Sequence, residues 1–403
     1  MSKKCILIAG SGFAGLWAAI SAARAIELTD KQDEVEIVMV SPSPTLAIRP
    51  RLYEAVIENM NPSIAEILDT LDVRHIAGVV RDIDADGKTA VIIHNDGTSE
   101  TVGYDRFVLA TGSKLFAPSI PGLDEYSFNV DTLPAAEKLE AHLQSLVDEP
   151  PSEARNTVVI AGGGFTGIEG ATEMPERLRS ILGRDASVRV LIVDPAEQIG
   201  KEMGDQVVEV VEQALDELGI ESRSGVLVSA IEKDSVTLSS GEEIPARTVV
   251  WSAGMRAHEL TAQVPGEKDE LGRVVGDEFL RAPAARGIFV TGDTVKAATD
   301  DVGNYAVMSC QHSLSLGRVA GHNAAAELVG LELHPYSQPK YVTCLDLGPW
   351  GALLTEGWDR QVQMKGADAK KVKEEINRVW IYPPEADKNT MFAVANPDHV
   401  IVP

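Results

Sequence analysis

Short apolar runs punctuate the chain at residues 5–9, 35–40, 107–110, 157–161, 188–193, 248–251 and 287–290. Several are apolar along their whole length, the pattern of parallel strands buried on both faces. Helix-forming stretches lie between them, the first over 16–26. The alternation predicts an α/β protein assembled from strand–helix–strand units. Behind Lys3 and Lys4, an uncharged run from Cys5 to Ala23 has the hydropathy of an export signal or a membrane span. Gly10, Gly12 and Gly15 interrupt it at the spacing of a strand–turn–helix loop, so the run predicts a nucleotide loop and no stable membrane insertion.

The chemistry of such a loop fixes its residue types. Gly10 allows the tight turn, Gly12 lets backbone approach a pyrophosphate, and Gly15 lets the helix opening at Phe13 and Ala14 pack closely on the strand. Free amides and the positive end of the helix dipole then face the phosphates. The same unit recurs as Gly162-Gly163-Gly164-Phe165-Thr166-Gly167, again behind an apolar run, so the two halves are structural repeats. After each loop a further apolar run follows. The second copy ends in Asp194, a carboxylate suited to accept hydrogen bonds from ribose hydroxyls and to repel a 2′-phosphate, which predicts NADH over NADPH. The first copy ends in Ser41, a weaker hydrogen-bonding partner at the corresponding place.

Composition narrows the partners. The chain of 403 residues is long enough for two or three domains, each with its own core. Sixty-one acidic residues against thirty-six basic ones leave a formal charge of -25, which disfavours nucleic acid. The three cysteines, Cys5, Cys310 and Cys344, are far apart with no CxxC pair, which argues against a local redox disulfide or a cysteine metal site and fits a reducing cytoplasm.

With both fingerprints in place, the chain resembles a two-dinucleotide-binding-domain flavoprotein with the pyridine nucleotide-disulfide oxidoreductase-like fold, most like type II NADH dehydrogenases. The resemblance covers about the first 325 residues. It implies that the first loop binds FAD and the second the nicotinamide cofactor. It also implies an NAD domain at 121–265 inserted into an FAD domain formed by 1–120 and 266–330. A smaller α+β domain at 331–403 follows, with strands near 340–347 and 352–354 and a helix near 367–379.

Further segments carry the resemblance. Ala110-Thr111-Gly112 resembles a flavin-domain strand end, Ile120-Pro121-Gly122 the crossover between domains, and Gly254 the turn at which the chain leaves the NAD domain. Gly292-Asp293 resembles the second flavin motif, with Asp293 implied to accept a ribityl hydroxyl. Arg49-Pro50-Arg51 matches a segment beside the flavin ring, with Arg51 where the family has an apolar residue; it favours an anionic flavin or substrate, or is a solvated loop arginine. Gln311 matches the first of two glutamines at the helix facing the flavin and lining the quinone site, and Ser315 replaces the second. Neighbouring His312 is a proton donor to the acceptor or a packing residue. Glu169 matches an acid near the nicotinamide, where it orients NADH, relays a proton or complements the helix dipole.

The implied activity is hydride transfer from NADH to FAD, then electron transfer to a quinone or similar small redox-active aromatic acceptor. Sulfide:quinone reduction needs cysteines near the flavin, where only Cys310 qualifies, and ferredoxin reduction needs a basic docking surface this acidic chain does not advertise. A slow NADH-sensing flavoprotein and a homodimer stay compatible with the sequence. Trp350, Trp358, Trp380 and Tyr382 line an acceptor, form a dimer interface or pack a core. No basic amphipathic helix is evident from Pro383 to the final Pro403.

Overall fold

The computed structural model of the chain describes residues 3–400. The apolar runs form the strands Lys4–Ala9, Val35–Ser41, Arg106–Leu109, Thr157–Ala161, Arg189–Asp194, Thr248–Trp251 and Ile288–Val290. Five of the strands in the first sheet are parallel, in the order Ile288–Val290, Arg106–Leu109, Lys4–Ala9, Val35–Ser41, Val73–Asp84. Thr89–His94 and Ser99–Gly103 extend it as an antiparallel meander. The second sheet is wholly parallel, ordered Ile220–Ser224, Arg189–Asp194, Thr157–Ala161, Thr248–Trp251, Ser127–Phe128.

Strand Ile288–Val290 lies beside Arg106–Leu109 although the whole second sheet intervenes in sequence, so the second unit is an insertion in the first. The two chain crossings pair as the antiparallel strands Ser113–Leu115 and Met255–Ala257. Leu260 and Val264 already belong to the first core, so the return falls nearer Met255 than the expected 265.

Helix Phe13–Glu27 packs on helix Cys310–Val329 through glycines four apart on one face. A Cβ on Gly317 would sit 2.4 Å from the Ala14 carbonyl oxygen, and one on Gly321 2.0 Å from that of Ala18. The absence of side chains there brings the two backbones together. It also sets the start of Cys310–Val329 beside the first glycine loop.

The C-terminal part forms a three-stranded antiparallel sheet, Val342–Asp346, Ala352–Glu356 and Gln361–Gly366, with helix Ala367–Glu375 continuing into a wider turn, Ile376–Trp380. Gln361–Gly366 had no apolar signal, being a largely exposed edge strand of sequence QVQMKG. Among the described residues this part has no separate hydrophobic cluster. Leu345, Leu347 and Leu353 join the core of the second unit, while Ile381, Met391 and Ala395 join that of the first. With its apolar side chains divided in this way, the segment clamps across both units. A short helix, Lys388–Val394, follows Pro383 and packs inward through Met391. The end of the chain considered above lies outside the described residues from 401 onward. No helix among the described residues is long and apolar enough to cross a membrane.

Candidate functional site

The two glycine loops are geometric copies. Gly10 and Gly162 have φ of +108° and +118°, a region glycine enters without strain. A Cβ on Gly15 would lie 2.0 Å from the Gly10 carbonyl oxygen, and one on Gly167 1.8 Å from that of Gly162. At Gly12 and Gly164 a Cβ would meet nothing within 4 Å, because these positions face open space. Each is an N-cap without a side-chain cap, so the first amides of Phe13–Glu27 and Phe165–Leu182 remain free for an anion. The arrangement fits a pyrophosphate at either loop.

Different walls close the two loops. Against Gly10 lies the Ala110 carbonyl, 2.4 Å from where a Cβ would be, and next to it Thr111 Oγ1 is buried without a hydrogen-bond partner. Against Gly162 lie Ser252 and Ala253, with Ser252 Oγ donating to the Ala161 and Gly162 carbonyls at 3.1 and 3.3 Å. Gly254 follows at φ +79°, its carbonyl accepting from Phe116 N at 3.0 Å in the paired crossings.

The strand ends differ too. Asp194 Oδ2 accepts from Gly163 N at 2.6 Å and Oδ1 from Ala196 N at 2.8 Å, so a fixed carboxylate braces the second loop. Ser41 instead donates to the Ser43 carbonyl at 2.7 Å and lies 2.9 Å from His75 Nε2. Burial lowers the His75 pKa, so the ring is neutral at neutral pH. Sequence reading did not single out His75, which reaches Ser41 only because their strands pair.

Four distant segments converge beyond the first loop. Ser113 Oγ donates to Asp293 Oδ2 at 2.6 Å, and Ser313 Oγ lies 3.4 Å from Oδ1. Arg49 reaches the Ser113 carbonyl at 3.2 Å and pairs with Asp131. Gly292, at φ +64°, abuts Ala14 so closely that a Cβ would lie 2.8 Å from the Ala14 methyl. Burial raises the Asp293 carboxyl above its ordinary range, and the Ser113 hydroxyl and Arg49 charge only partly offset it. Pro50 is the second residue of the short 3-10 turn that Arg49 opens.

Other expected residues turn toward the C-terminal part. Glu169 is buried with its Oε1 2.7 Å from Lys373 Nζ and accepting from Asp346 N at 3.0 Å. Burial raises its pKa despite the adjacent ammonium. Tyr53 OH extends the network by donating to Asp346 Oδ2 at 2.9 Å. Arg51 is forked onto Glu54 at 2.9 and 2.7 Å and also meets the Tyr382 hydroxyl, so it is not a solvated loop arginine. Lys373 and Asp346 carried no signal in the sequence, since their partner Glu169 lies far away along the chain.

Gln311 is half-buried, with its amide oxygen 3.5 Å from Val342 N, the outer limit of a hydrogen bond. His312 is fully buried, its Nδ1 2.9 Å from Ser309 Oγ. Its ring lies 5.0 Å from Tyr341 and 5.8 Å from Trp358. Burial, aided by the Arg360 charge, pushes its pKa down to about 4, so it is a neutral ring at neutral pH. The other C-terminal aromatics are dispersed. Trp350 donates to Glu217 at 3.0 Å, Trp380 to Glu375 at 3.1 Å, and Tyr382 to the Asn59 carbonyl at 2.9 Å. Cys5, Cys310 and Cys344 are free, and burial raises the pKa of each thiol.

Comparison with known proteins agrees with this architecture. A family model described as pyridine nucleotide-disulphide oxidoreductase matches residues 4–321. An NADH dehydrogenase-like protein of Mycobacterium tuberculosis is 43% identical over 396 residues, spanning 97% of this chain and 98% of that one. A demethylphylloquinone reductase of Synechocystis is 28% identical over 87% of this chain and 86% of its own length. Among solved structures, NDH2 of Plasmodium falciparum in complex with NADH superimposes with a TM-score of 0.76 at 13% identity, covering 100% of both chains, a likeness of fold.

Proposed function

The chain belongs to the pyridine nucleotide-disulphide oxidoreductase family, and on that footing we infer that it is an FAD-dependent NADH dehydrogenase delivering electrons to a quinone or similar redox-active aromatic acceptor. One observation carries the reading: two loops of one glycine design, of which only the second is braced by a carboxylate, Asp194. Two dinucleotides are accommodated, and the second is one without a 2′-phosphate.

In this assignment the amides of Phe13 and Ala14 hold the FAD pyrophosphate, with Gly10, Gly12 and Gly15 admitting it. Ala110, Thr111 and Gly112 close the pocket, and the orphaned Thr111 hydroxyl gains a partner. Gly292 and Asp293 face the ribityl chain, and Ser41 with His75 stands at the adenosine end. Arg49, Pro50 and Gln311 border the ring, while Arg51 acts indirectly by holding Glu54 and Tyr382. Bound there, FAD supplies the ring that accepts hydride from NADH and passes electrons onward.

Gly162, Gly164, Phe165, Thr166 and Gly167 seat the NADH pyrophosphate, Asp194 the adenosine ribose, and Gly254 the turn opposite. Glu169, its Oε1 held by Lys373 Nζ and the Asp346 amide, holds or returns a proton near the nicotinamide end, and Tyr53 OH fixes the Asp346 carboxylate beside it. His312 packs as a neutral ring near the acceptor side. The raised thiol pKa values weigh against sulfide:quinone chemistry, which needs a thiolate, and three free cysteines suit a cytoplasmic setting.

The test is steady-state NADH oxidation with short-chain quinones or ferredoxin as acceptor, beside quinone reduction with sulfide in place of NADH as donor. Rapid turnover of NADH with quinone, and little with ferredoxin or from sulfide, is expected. Turnover with ferredoxin alone, or NADH binding without turnover on any acceptor, contradicts the reading.

A further inference from the structure

The hairpin between strands Ala352–Glu356 and Gln361–Gly366 crosses from the C-terminal sheet to the second glycine loop. It is fixed on the second unit by Gln206, whose amide donates to Gln361 Oε1 at 3.0 Å and accepts from Val362 N at 3.2 Å. At its tip Arg360 takes φ +55°, a left-handed conformation unusual for arginine. Its Cβ lies 3.7 Å from the position a Cβ on Gly204 would occupy. The segment entering Gly204 is itself tied to the second loop by Gly200 N donating to the Gly163 carbonyl at 3.2 Å.

The guanidinium lies 4.5 Å over the Tyr341 ring and 6.0 Å from that of Phe165, the first residue of the helix opening at the second loop. Among the described residues the arginine ion pairs do not include Arg360, although the chain carries twenty-five more acids than bases. Its Nη1 is buried without an acceptor, and so are Trp358 Nε1 and His312 Nε2 around the same Tyr341 ring. Ser309 Oγ accepts the His312 amide at 3.3 Å, so its own proton is available to His312 Nδ1, which leaves Nε2 as a donor. A guanidinium stacked on aromatic rings, with an Nη1 that has no acceptor, suits an anionic, oxygen-rich ligand.

We propose that Arg360, delivered by the C-terminal hairpin, binds the pyrophosphate of the nicotinamide dinucleotide opposite the free amides of Phe165 and Thr166. This rests on the assignment of the second loop to NADH. A planar guanidinium can take two phosphate oxygens at once, which matters on a protein whose net charge repels an anionic ligand. The C-terminal segment thereby completes the donor site.

The test compares the full-length wild type with Arg360→Ala and Arg360→Lys for NADH kinetics and for calorimetric binding of ADP-ribose, which keeps the pyrophosphate and lacks the nicotinamide. Arg360→Ala is expected to raise both the NADH KM and the ADP-ribose Kd by roughly tenfold to a hundredfold. The effect falls on KM more than kcat, and the salt dependence of KM flattens. Arg360→Lys, which keeps the charge without the fork, falls between and guards against a folding defect in the alanine variant. Unchanged ADP-ribose binding in both variants, beside a wild type that binds it, overturns the proposal alone. A wild type that neither oxidises NADH nor binds ADP-ribose overturns the assignment beneath it.

Discussion

The two glycine loops share glycine positions, φ values and the close approach of the third glycine to the first, yet their surroundings differ. The first is walled by Ala110, Thr111, Gly292 and the start of helix Cys310–Val329, whose Gln311 and His312 meet Val342 and Tyr341. The second is braced by Asp194 and overlooked by the C-terminal segment, whose Lys373 and Arg360 reach across to it. In the proposed assignment, a fold repeated within one chain thus offers one cradle for a retained cofactor and one that the C-terminal segment helps to complete for a passing substrate. In that assignment the loop supplies phosphate binding in both, and the walls decide what is bound.

The largest expected effect comes from severing the second unit from the C-terminal segment. Lys373→Met leaves Glu169 buried without its cation and should cost about 3–5 kcal/mol in denaturant unfolding. The double variant Lys373→Met with Glu169→Gln should recover most of it. Equal stability of single and double variants would break the claim that this ion pair joins the two parts.

Next in size is a pH effect at the junction. The folded pKa of His312, about 4, lies below its unfolded value, so the native state binds fewer protons between the two. Stability from this residue is therefore intact above pH ~6.5 and lost as pH falls toward ~4, by up to about 3 kcal/mol. His142, also pushed down to about 4 by burial, contributes in the same direction. The measurement is the difference between wild type and His312→Phe across that window, and an identical pH profile for both contradicts the buried neutral imidazole.

Smaller, but aimed directly at the loops, are Gly15→Ala and Gly167→Ala. Each forces a methyl into a carbonyl of the first glycine and should cost about 1–3 kcal/mol. Their functional consequences should separate: Gly15→Ala lowers flavin content, whereas Gly167→Ala keeps flavin and raises the NADH KM. Loss of flavin from Gly167→Ala would erase the distinction. Smallest is Asp194→Asn, which removes the charge that repels a 2′-phosphate and should narrow the preference for NADH over NADPH by about tenfold, or ~1.4 kcal/mol. An unchanged ratio removes Asp194 from specificity.

The strands and both glycine loops were legible in the sequence because their signals are local: an apolar run, a fixed glycine spacing, a terminal acid. The insertion of one unit in the other followed from motif order. What stayed hidden depends on tertiary approach. His75 meets Ser41 only through strand register, Lys373 meets Glu169 across 204 positions, and Arg360 reaches Phe165 at the tip of a hairpin whose second strand lacks an apolar pattern. The C-terminal segment looked like a domain because it contains its own strands and helix. Its large apolar side chains are nevertheless divided between the cores of the two units, and only packing reveals that division.

The central claim, a flavin in the first loop reduced by NADH from the second, is tested most directly by anaerobic titration of the purified protein with NADH, following flavin absorbance. The account predicts a yellow protein bleached by about one equivalent of NADH per flavin, with NADPH much less effective. A colourless protein after gentle purification, or a flavin spectrum that NADH leaves unchanged, contradicts it.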